Sequence, residues 1–262
     1  MIESVGRFII ATLEAVGGVL GLFVDTLYWI FVGPFRNKPP RLRPIFYQMV
    51  FAGVRSVLIV FFVAIFTGMV LAMQTAYQLE KMGAVIYVAS LVAVSLCREL
   101  SPVLTALVVA GRVGSAISAE LGSMKVTEQI EALETMAINP VRFLVVPRFI
   151  ALFFMLPALT IVGDISGMLG GFFIGTTSLH LSPDLYIHTN FKYLALKDIY
   201  TGLTKAFVFA VIIALIACFE GLNTKGGAEG VGRATTRSVV ISFVLIILAD
   251  CLLTAIFYFS NV

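Results

Sequence analysis

The stretch that decides the fold reads Ser90-Leu-Val-Ala-Val-Ser-Leu-Cys-Arg-Glu-Leu-Ser-Pro102, and an apolar run spaced by glycine and serine links it to Lys125-Val-Thr-Glu-Gln-Ile-Glu-Ala-Leu-Glu-Thr-Met136. The first segment is apolar over a membrane length, but it contains an Arg-Glu pair, and ionisable residues at membrane depth are rare. The second has the acidic, amphipathic pattern of a short water-exposed helix. A simple membrane anchor needs neither feature. The combination indicates a transporter that passes a mechanical signal to a soluble partner.

The composition places the chain in a membrane. Of its 262 residues, 60% are hydrophobic and 13% are charged, whereas soluble domains carry about 25% charged residues. Backbone polar groups in lipid need internal partners, so the long apolar segments must be helices. The weak alternating pattern of a membrane β-barrel is absent. The net charge of +3 is too small to indicate a nucleic-acid partner.

Hydropathy and periodicity predict an all-α integral membrane protein with five transmembrane helices, an N-terminal interfacial helix and a short cytoplasmic helix. The predicted spans are residues 54–77, 85–117, 149–176, 200–219 and 239–258, and the short helix covers residues 125–138. We expect Pro102 to bend the second span, because the carbonyl of Arg98 loses its helical partner there.

Three regions follow along the chain. Residues 1–33 form an interfacial helix region, because two acids in one span are costly and a stripe of charge and glycine suits a membrane surface. That stripe comprises Arg7, Glu14, Gly18, Gly21 and Asp25. Residues 34–50 form a basic, proline-rich cytoplasmic linker that cannot be a helix interior. Residues 51–262 hold the five spans, with the N-terminus cytoplasmic and the C-terminus periplasmic.

The Arg98-Glu99 pair is the sharpest functional signal. A polar stripe surrounds it on one helical face and could line an aqueous path: Ser95, Arg98, Ser101, Thr105, Arg112 and Ser115. Arg98 could bind a phosphate with two parallel hydrogen bonds. The alternative is that Arg98 pairs with an acid to hold helices together, and the candidate partners are Glu99, Asp164 and Asp250.

The acidic segment 125–138 has two distinct faces. Its apolar face carries Val126, Ile130, Leu133 and Ala137, and its acidic face carries Glu128, Glu131 and Glu134. Thr127 is expected to cap the helix start. A short helix between two spans needs a place for its apolar face, and a groove on a soluble partner would supply one.

Other patterns indicate packing rather than chemistry. Gly163, Gly167, Gly171 and Gly175 form three GxxxG steps in the third span, which predicts close helix packing. The glycine-rich loop 226–232 lacks the sequence of a phosphate-binding loop, so we expect no ATP hydrolysis by this chain. The three cysteines form no CxxC pair. No arrangement of residues indicates a catalytic site or a metal site.

Several long motifs occur in the order typical of one family. They are Arg98-Glu-Leu-Ser-Pro102, Ala110-Gly-Arg-Val-Gly-Ser-Ala-Ile-Ser-Ala-Glu-Leu-Gly122, Met124-Lys-Val-Thr-Glu-Gln-Ile-Glu-Ala-Leu-Glu-Thr-Met136, Asn139-Pro140 and Gly232-Arg-Ala-Thr-Thr-Arg237. From about residue 45 to its end, the chain resembles the MlaE (YrbE-type) permeases of ABC transporters. Ser101 stands where the family usually has glycine.

The resemblance implies a homodimeric permease in the inner membrane that moves phospholipids or related lipids between membranes. It implies a separate ATPase subunit that binds the ATP, an MCE-domain substrate-binding protein and, in some systems, a small STAS-like cytoplasmic subunit. No cofactor is expected on this chain, and the chain is not itself an enzyme.

The resemblance also assigns roles to particular residues. Arg98 and Glu99 would lie near the lipid-binding cavity, and Tyr77, Leu79 and Met82 would lie near its mouth. Residues 125–138, here termed the coupling segment, would contact the ATPase through Thr127, Glu128, Ile130, Glu131, Leu133 and Glu134. The alternative function is an ion-coupled secondary transporter that uses Arg98, Glu99 and Asp164 inside the membrane.

Overall fold

The computed structural model describes residues 2–33 and 42–259, which form helices joined by turns with no strand among them. The α-helices are α1 (Ile2–Phe31), α2 (Leu42–Ala52), α3 (Val57–Glu80), α4 (Val88–Ser95), α5 (Ser101–Val109), α6 (Ser115–Val126), α7 (Gln129–Thr135), α8 (Val146–Thr177), α9 (Pro183–Tyr193), α10 (Leu196–Leu222) and α11 (Gly227–Phe259).

Six helical stretches of the described residues are long and apolar enough to cross a membrane, which confirms an all-α integral membrane protein. They are Leu13–Phe31, Leu42–Glu80, Val85–Val126, Val141–Thr177, Leu196–Leu222 and Gly227–Phe259. The last five contain the five predicted spans, each extended at one or both ends. The first lies in the predicted interfacial region, and its placement in the interface stays a prediction.

The predicted linker 34–50 is helical from Leu42 onward. Residues 34–41 lie outside the described part of the chain, but α2 already begins at Leu42. The prediction of a linker is therefore wrong for residues 42–50, and Pro44 stands in the first turn of α2. The backbone N–H groups of a first turn have no helical acceptor, so proline costs little there.

The second predicted span is not a regular α-helix just before Pro102, and the bend predicted at this proline stays a prediction. A π-helical turn, Leu96–Leu100, separates α4 from α5, and the N–H of Ser101 donates to the carbonyl of Leu96, five residues back. Such turns let one extra residue bulge out of a helix and are frequent at functional sites. The bulge contains the Arg98-Glu99 pair.

The chain divides into two compact units. Unit 1 consists of Met1–Met49, Ala110–Leu152 and Val211–Ser242. Unit 2 consists of Val50–Val109, Phe153–Ala210 and Phe243–Val262. The Arg98-Glu99 pair belongs to unit 2, and the coupling segment belongs to unit 1.

In unit 2, helices α3 and α8 touch backbone to backbone. A Cβ atom added to Gly68 would lie 1.9 Å from the carbonyl oxygen of Gly167. The predicted glycine face of α8 packs inside the chain, because Gly163 faces Ser101, Gly167 faces Leu96, and Gly171 and Gly175 face Tyr186. Small residues permit this approach, and the gain in van der Waals contact holds helices together in lipid.

Tyr186 anchors α9 to the same unit. Its ring packs on Phe172 with centroids 5.6 Å apart, and the side chain is buried. Burial raises the pKa of Tyr186 to about 12. The short helix α9 begins at an N-cap in which Ser182 accepts a hydrogen bond from the Leu185 N–H.

In unit 1, a buried ion pair joins α6 and α8. The guanidinium of Arg148 is almost fully buried, lies 2.9 Å from Glu120 and donates to the Leu144 carbonyl. Close packing accompanies the ion pair, since a Cβ on Gly122 would lie 2.8 Å from the Thr224 hydroxyl. Phe23 of α1 packs on Phe149 of α8, with ring centroids 6.4 Å apart.

Gly68→Ala should destabilise the protein, because the new methyl group forces α3 away from the Gly167 carbonyl. Overpacking costs about 1–3 kcal/mol, which corresponds to a fall in melting temperature of about 5 °C for a chain of this size. The measurement is thermal unfolding in detergent. Gly232→Ala is the matched control, because a Cβ there meets nothing within 4 Å. An equal effect of both substitutions would contradict the packing account.

Candidate functional site

Arg98 forms its ion pair with an acid that sequence reasoning did not propose. Its Nε atom lies 2.7 Å from Oδ1 of Asp198, at the start of α10. The carboxylate of Asp198 also accepts a hydrogen bond from the Ala195 N–H at 2.9 Å. Asp198 is nearly buried, with 5% of its side chain exposed, whereas 41% of the Arg98 side chain is exposed.

The neighbouring Glu99 belongs to a second ionic group centred on Lys205. The ammonium of Lys205 is 1% exposed and donates to Glu99 and, at 2.7 Å, to the hydroxyl of Thr254. It also lies 2.8 Å from Oδ1 of Asp250. A buried ammonium in lipid-compatible surroundings requires such partners, because its desolvation is otherwise costly.

These two groups, here termed the charge cluster, are Arg98, Glu99, Asp198, Lys205 and Asp250. Three of these residues, Arg98, Glu99 and Lys205, line a small pocket of ≈ 100 Å³ in unit 2. The lining residues are Arg98, Glu99, Thr201, Lys205, Thr254, Phe257 and Tyr258. Charged groups and aromatic rings together give the pocket an amphipathic lining.

Lys205 and Asp198 are the functional residues that sequence reasoning missed. Lys205 falls within the predicted span 200–219, and a lysine inside a span is the kind of signal that identified Arg98. Asp198 falls two residues before that span and reads as part of a loop. Only the packing of α10 beside the π-helical turn brings the two residues to Arg98 and Glu99.

The predicted polar stripe does not form an aqueous path at Ser101 and Thr105. Both residues are buried, and Ser101 donates to the carbonyl of Thr160 at 3.1 Å. Gly163 leaves the space that their hydroxyl groups occupy. Asp164, the other proposed intramembrane acid, is buried within hydrogen-bonding reach of Ser101 and Cys97. In the described part of the chain, Asp164 has no ion pair.

The three residues expected at the cavity mouth have different surroundings. Tyr77 and Met82 are largely exposed, and the Lys81 ammonium lies 4.2 Å from the centre of the Tyr77 ring. Leu79 instead packs against a buried cluster that includes Ala76 and Val88. The pocket at Arg98 is not lined by any of the three.

The coupling segment contains a shorter helix than predicted. Helix α7 covers Gln129–Thr135, and Glu128 and Ala137 on either side of it have positive φ angles of 59° and 57°. The predicted Thr127 cap is wrong, because its hydroxyl donates back to the Ser123 carbonyl at the end of α6. The left-handed residue Glu128 ends α6 and permits a sharp turn.

The side chains of the coupling segment also differ in how much of their surface is exposed. Ile130 is 4% exposed, so its side chain anchors the segment within unit 1 rather than offering a free surface. Leu133 is half-buried, and Met136 is exposed. Lys125 donates a hydrogen bond to Glu131 and holds the pKa of that carboxyl below its usual range. Glu128 and Glu134 are exposed.

The charge cluster and the coupling segment both lie in a part of the chain whose sequence matches one known family. The sequence model of that family, described as Permease MlaE, matches residues 45–256. The chain belongs to the MlaE permease family.

Relatives resemble this MlaE-family chain over most of its length. A probable ABC transporter permease protein of Rickettsia typhi is 40% identical over 97% of this chain and 96% of its own length. A probable ABC transporter permease protein of Synechocystis is 43% identical over 79% of each chain. The intermembrane phospholipid transport system permease protein MlaE of Haemophilus influenzae is 40% identical over 80% of this chain and 81% of its own.

Lys205→Met should destabilise this MlaE-family permease, because Glu99 and Asp250 would lose their shared cation. Breaking a buried pair costs about 3–5 kcal/mol, and the partial exposure of both acids reduces that to about 2 kcal/mol. Thermal unfolding in detergent measures the loss. The triple variant Lys205→Met, Glu99→Gln, Asp250→Asn should recover stability, since it leaves no unpaired charge. A single variant as stable as the parent protein would refute the role given to Lys205.

Proposed function

We propose that this chain is the permease subunit of an ABC transporter that moves phospholipids between membranes, with ATP hydrolysed by a separate subunit. The observation that carries the proposal is the charge cluster, which places an exposed arginine and an exposed glutamate in a pocket of a membrane-spanning unit. Membership of the MlaE family and the names of the relatives agree with this function.

The pocket at Arg98 is suited to a lipid headgroup. Arg98 has further N–H donors beyond the Nε atom that contacts Asp198, and a planar guanidinium can bind phosphate with two hydrogen bonds. The aromatic rings of Phe257 and Tyr258 supply apolar surface beside it. Tyr77 and Met82 expose apolar side chains and form a second, more open part of the proposed lipid path.

The coupling segment is the proposed contact for the ATPase. Leu133, Met136 and the exposed acids Glu128 and Glu134 offer a mixed surface, and Ile130 fastens the segment to unit 1. In this mechanism, ATP binding and hydrolysis move the segment. The continuous helical stretch Val85–Val126 carries that motion along the chain, and the pocket changes its affinity for lipid.

The proposed transporter contains two copies of this chain, because one chain offers only a small pocket and a two-fold dimer could enclose a larger cavity. Helix α11 offers the surface for the second copy, since only 11% of its most apolar stretch is buried. An MCE-domain protein on the outer face and, in some systems, a STAS-like cytoplasmic subunit complete the assembly that the family resemblance implies.

The chain is a multi-pass membrane protein, and we place it in the inner membrane with its N-terminus cytoplasmic and its C-terminus periplasmic. Basic residues at or near the ends of the spans support that orientation, because such residues collect on the cytoplasmic side. Those in unit 1 include Lys125, Arg142, Lys225, Arg233 and Arg237.

The alternative of ion-coupled transport is less well supported. Arg98 and Glu99 each already have a counter-ion, in Asp198 and Lys205, and Asp164 belongs to neither ion pair. The curated relatives that match most of the chain are named as ABC transporter permeases. Loss of all lipid movement when the ATPase is removed would separate the two functions.

Leu133→Arg should release the ATPase from the membrane complex or uncouple ATP hydrolysis from lipid movement, because a charge replaces an apolar contact. The measurement is co-purification of the ATPase, followed by ATPase and lipid-transfer assays. Leu185→Arg is the matched control, since Leu185 is a partly exposed leucine of α9 in the other unit. Normal coupling in the Leu133 variant would argue against this contact.

The double variant Arg98→Gln, Asp198→Asn should retain its fold and lose bound phospholipid at least severalfold. It removes the phosphate-binding donors without leaving Asp198 as an unpaired buried charge. The measurement is phospholipid per purified complex. Lys192→Gln removes another exposed cation of unit 2 and should leave lipid content unchanged. Unchanged lipid in the double variant would assign Arg98 a purely structural role.

A further inference from the structure

Only part of the charge cluster can reach a molecule in the pocket. Asp198 and Lys205 are almost fully buried, with 5% and 1% of their side chains exposed, although Lys205 also borders the pocket. Arg98 and Glu99 have 41% and 39% of their side chains exposed and both line the pocket. A ligand therefore meets one cation and one anion that are adjacent in the chain.

The hydrogen-bonding capacity of the cluster leads to the same two residues. The ammonium of Lys205 has three N–H donors; it donates hydrogen bonds to Glu99 and Thr254 and lies 2.8 Å from Oδ1 of Asp250. A carboxylate has about four acceptor positions, and Glu99 uses only some of them for Lys205 and Thr254. Arg98 likewise has donors beyond the Nε atom that contacts Asp198.

The formal charges of the cluster disfavour an anionic ligand. Arg98 and Lys205 supply two positive charges, and Glu99, Asp198 and Asp250 supply three negative charges. One negative charge is left over, and Glu99 displays its own charge directly to the pocket. A ligand that carries both a phosphate and an ammonium group complements Arg98 and Glu99 without adding net charge, whereas a purely anionic headgroup would be repelled by Glu99.

The size of the pocket limits the ligand to a small group. A volume of ≈ 100 Å³ suits a compact headgroup rather than a bulky one. Thr201 and Thr254 line the polar part, and Phe257 and Tyr258 line the remainder. An ammonium group can also interact favourably with the face of an aromatic ring.

We propose that this pocket selects zwitterionic phospholipids with a primary ammonium, of the phosphatidylethanolamine type, by binding the phosphate at Arg98 and the ammonium at Glu99. This inference rests on the proposed function and adds the headgroup class to it. Lys205 acts as a positioning residue, because it holds the Glu99 carboxylate at the pocket wall without contacting the ligand. Thr254 supports the same carboxylate through its hydroxyl.

The test uses the purified transporter complex, reconstituted in lipid discs that contain equal amounts of phosphatidylethanolamine and phosphatidylglycerol. Tightly bound lipid is isolated with the complex in mild detergent and quantified by mass spectrometry. A charge-assisted hydrogen bond is worth about 1.5–3 kcal/mol, so we expect about tenfold enrichment of phosphatidylethanolamine over its share of the discs. Glu99→Gln should reduce this enrichment to nearly none.

Asp250→Asn is the matched control. It changes the charge of the cluster by the same amount as Glu99→Gln and removes a neighbour of the same ammonium, but Asp250 does not line the pocket. In both variants Lys205 keeps one carboxylate, so both are expected to fold, and melting temperatures check this. The control should retain the enrichment if Glu99 contacts the ammonium directly.

The possible results test the headgroup preference separately from the proposed function. Enrichment that Glu99→Gln abolishes and Asp250→Asn retains supports the proposal. Bound lipid with the composition of the discs overturns it while leaving phospholipid transport intact. Equal loss of enrichment in both variants overturns the direct contact and assigns the preference to net charge. A complex that binds and moves no phospholipid at all contradicts the proposed function itself.

Discussion

The structure of unit 2 depends on satisfying one buried cation. Lys205 lies on an apolar helix with almost no exposed surface, and its ammonium is stabilised only if acceptors surround it. Glu99, Thr254 and Asp250 supply those acceptors from the π-helical turn and from α11. The ionic group thus joins three segments distant in sequence. It also fixes the Glu99 carboxylate beside Arg98, where the two side chains line the same pocket.

Close backbone contact provides the second constraint in that unit. Glycine at positions 68 and 167 lets the backbones of α3 and α8 touch. The same glycine face of α8 also packs against the side chains of Leu96 and Tyr186. Tight packing of this kind leaves little freedom around the π-helical turn. A site whose supporting residues are held by packing and by hydrogen bonds is preorganised, which lowers the entropy lost when a ligand binds.

Unit 1 shows a different balance between fixed and available groups. Buried contacts such as Arg148 with Glu120 hold α6 and α8 together, and Ile130 fastens the coupling segment to them. The left-handed residues Glu128 and Ala137 bend the chain sharply on both sides of α7. The remaining surface of the segment is acidic with a few exposed apolar atoms. In the proposed mechanism, a segment anchored in this way transmits force from a soluble partner, because it cannot rotate freely.

The sequence by itself determined the helical membrane class, the positions of the five long apolar helices and the family, because hydropathy and long motifs are local properties of the chain. It also singled out Arg98 and Glu99, since charges inside spans are conspicuous. Their partners Asp198 and Lys205, and the burial of Ser101, Thr105 and Ile130, were decided only by tertiary structure. Those features depend on which helices pack together, and residues separated by about a hundred positions carry no local signal of that contact.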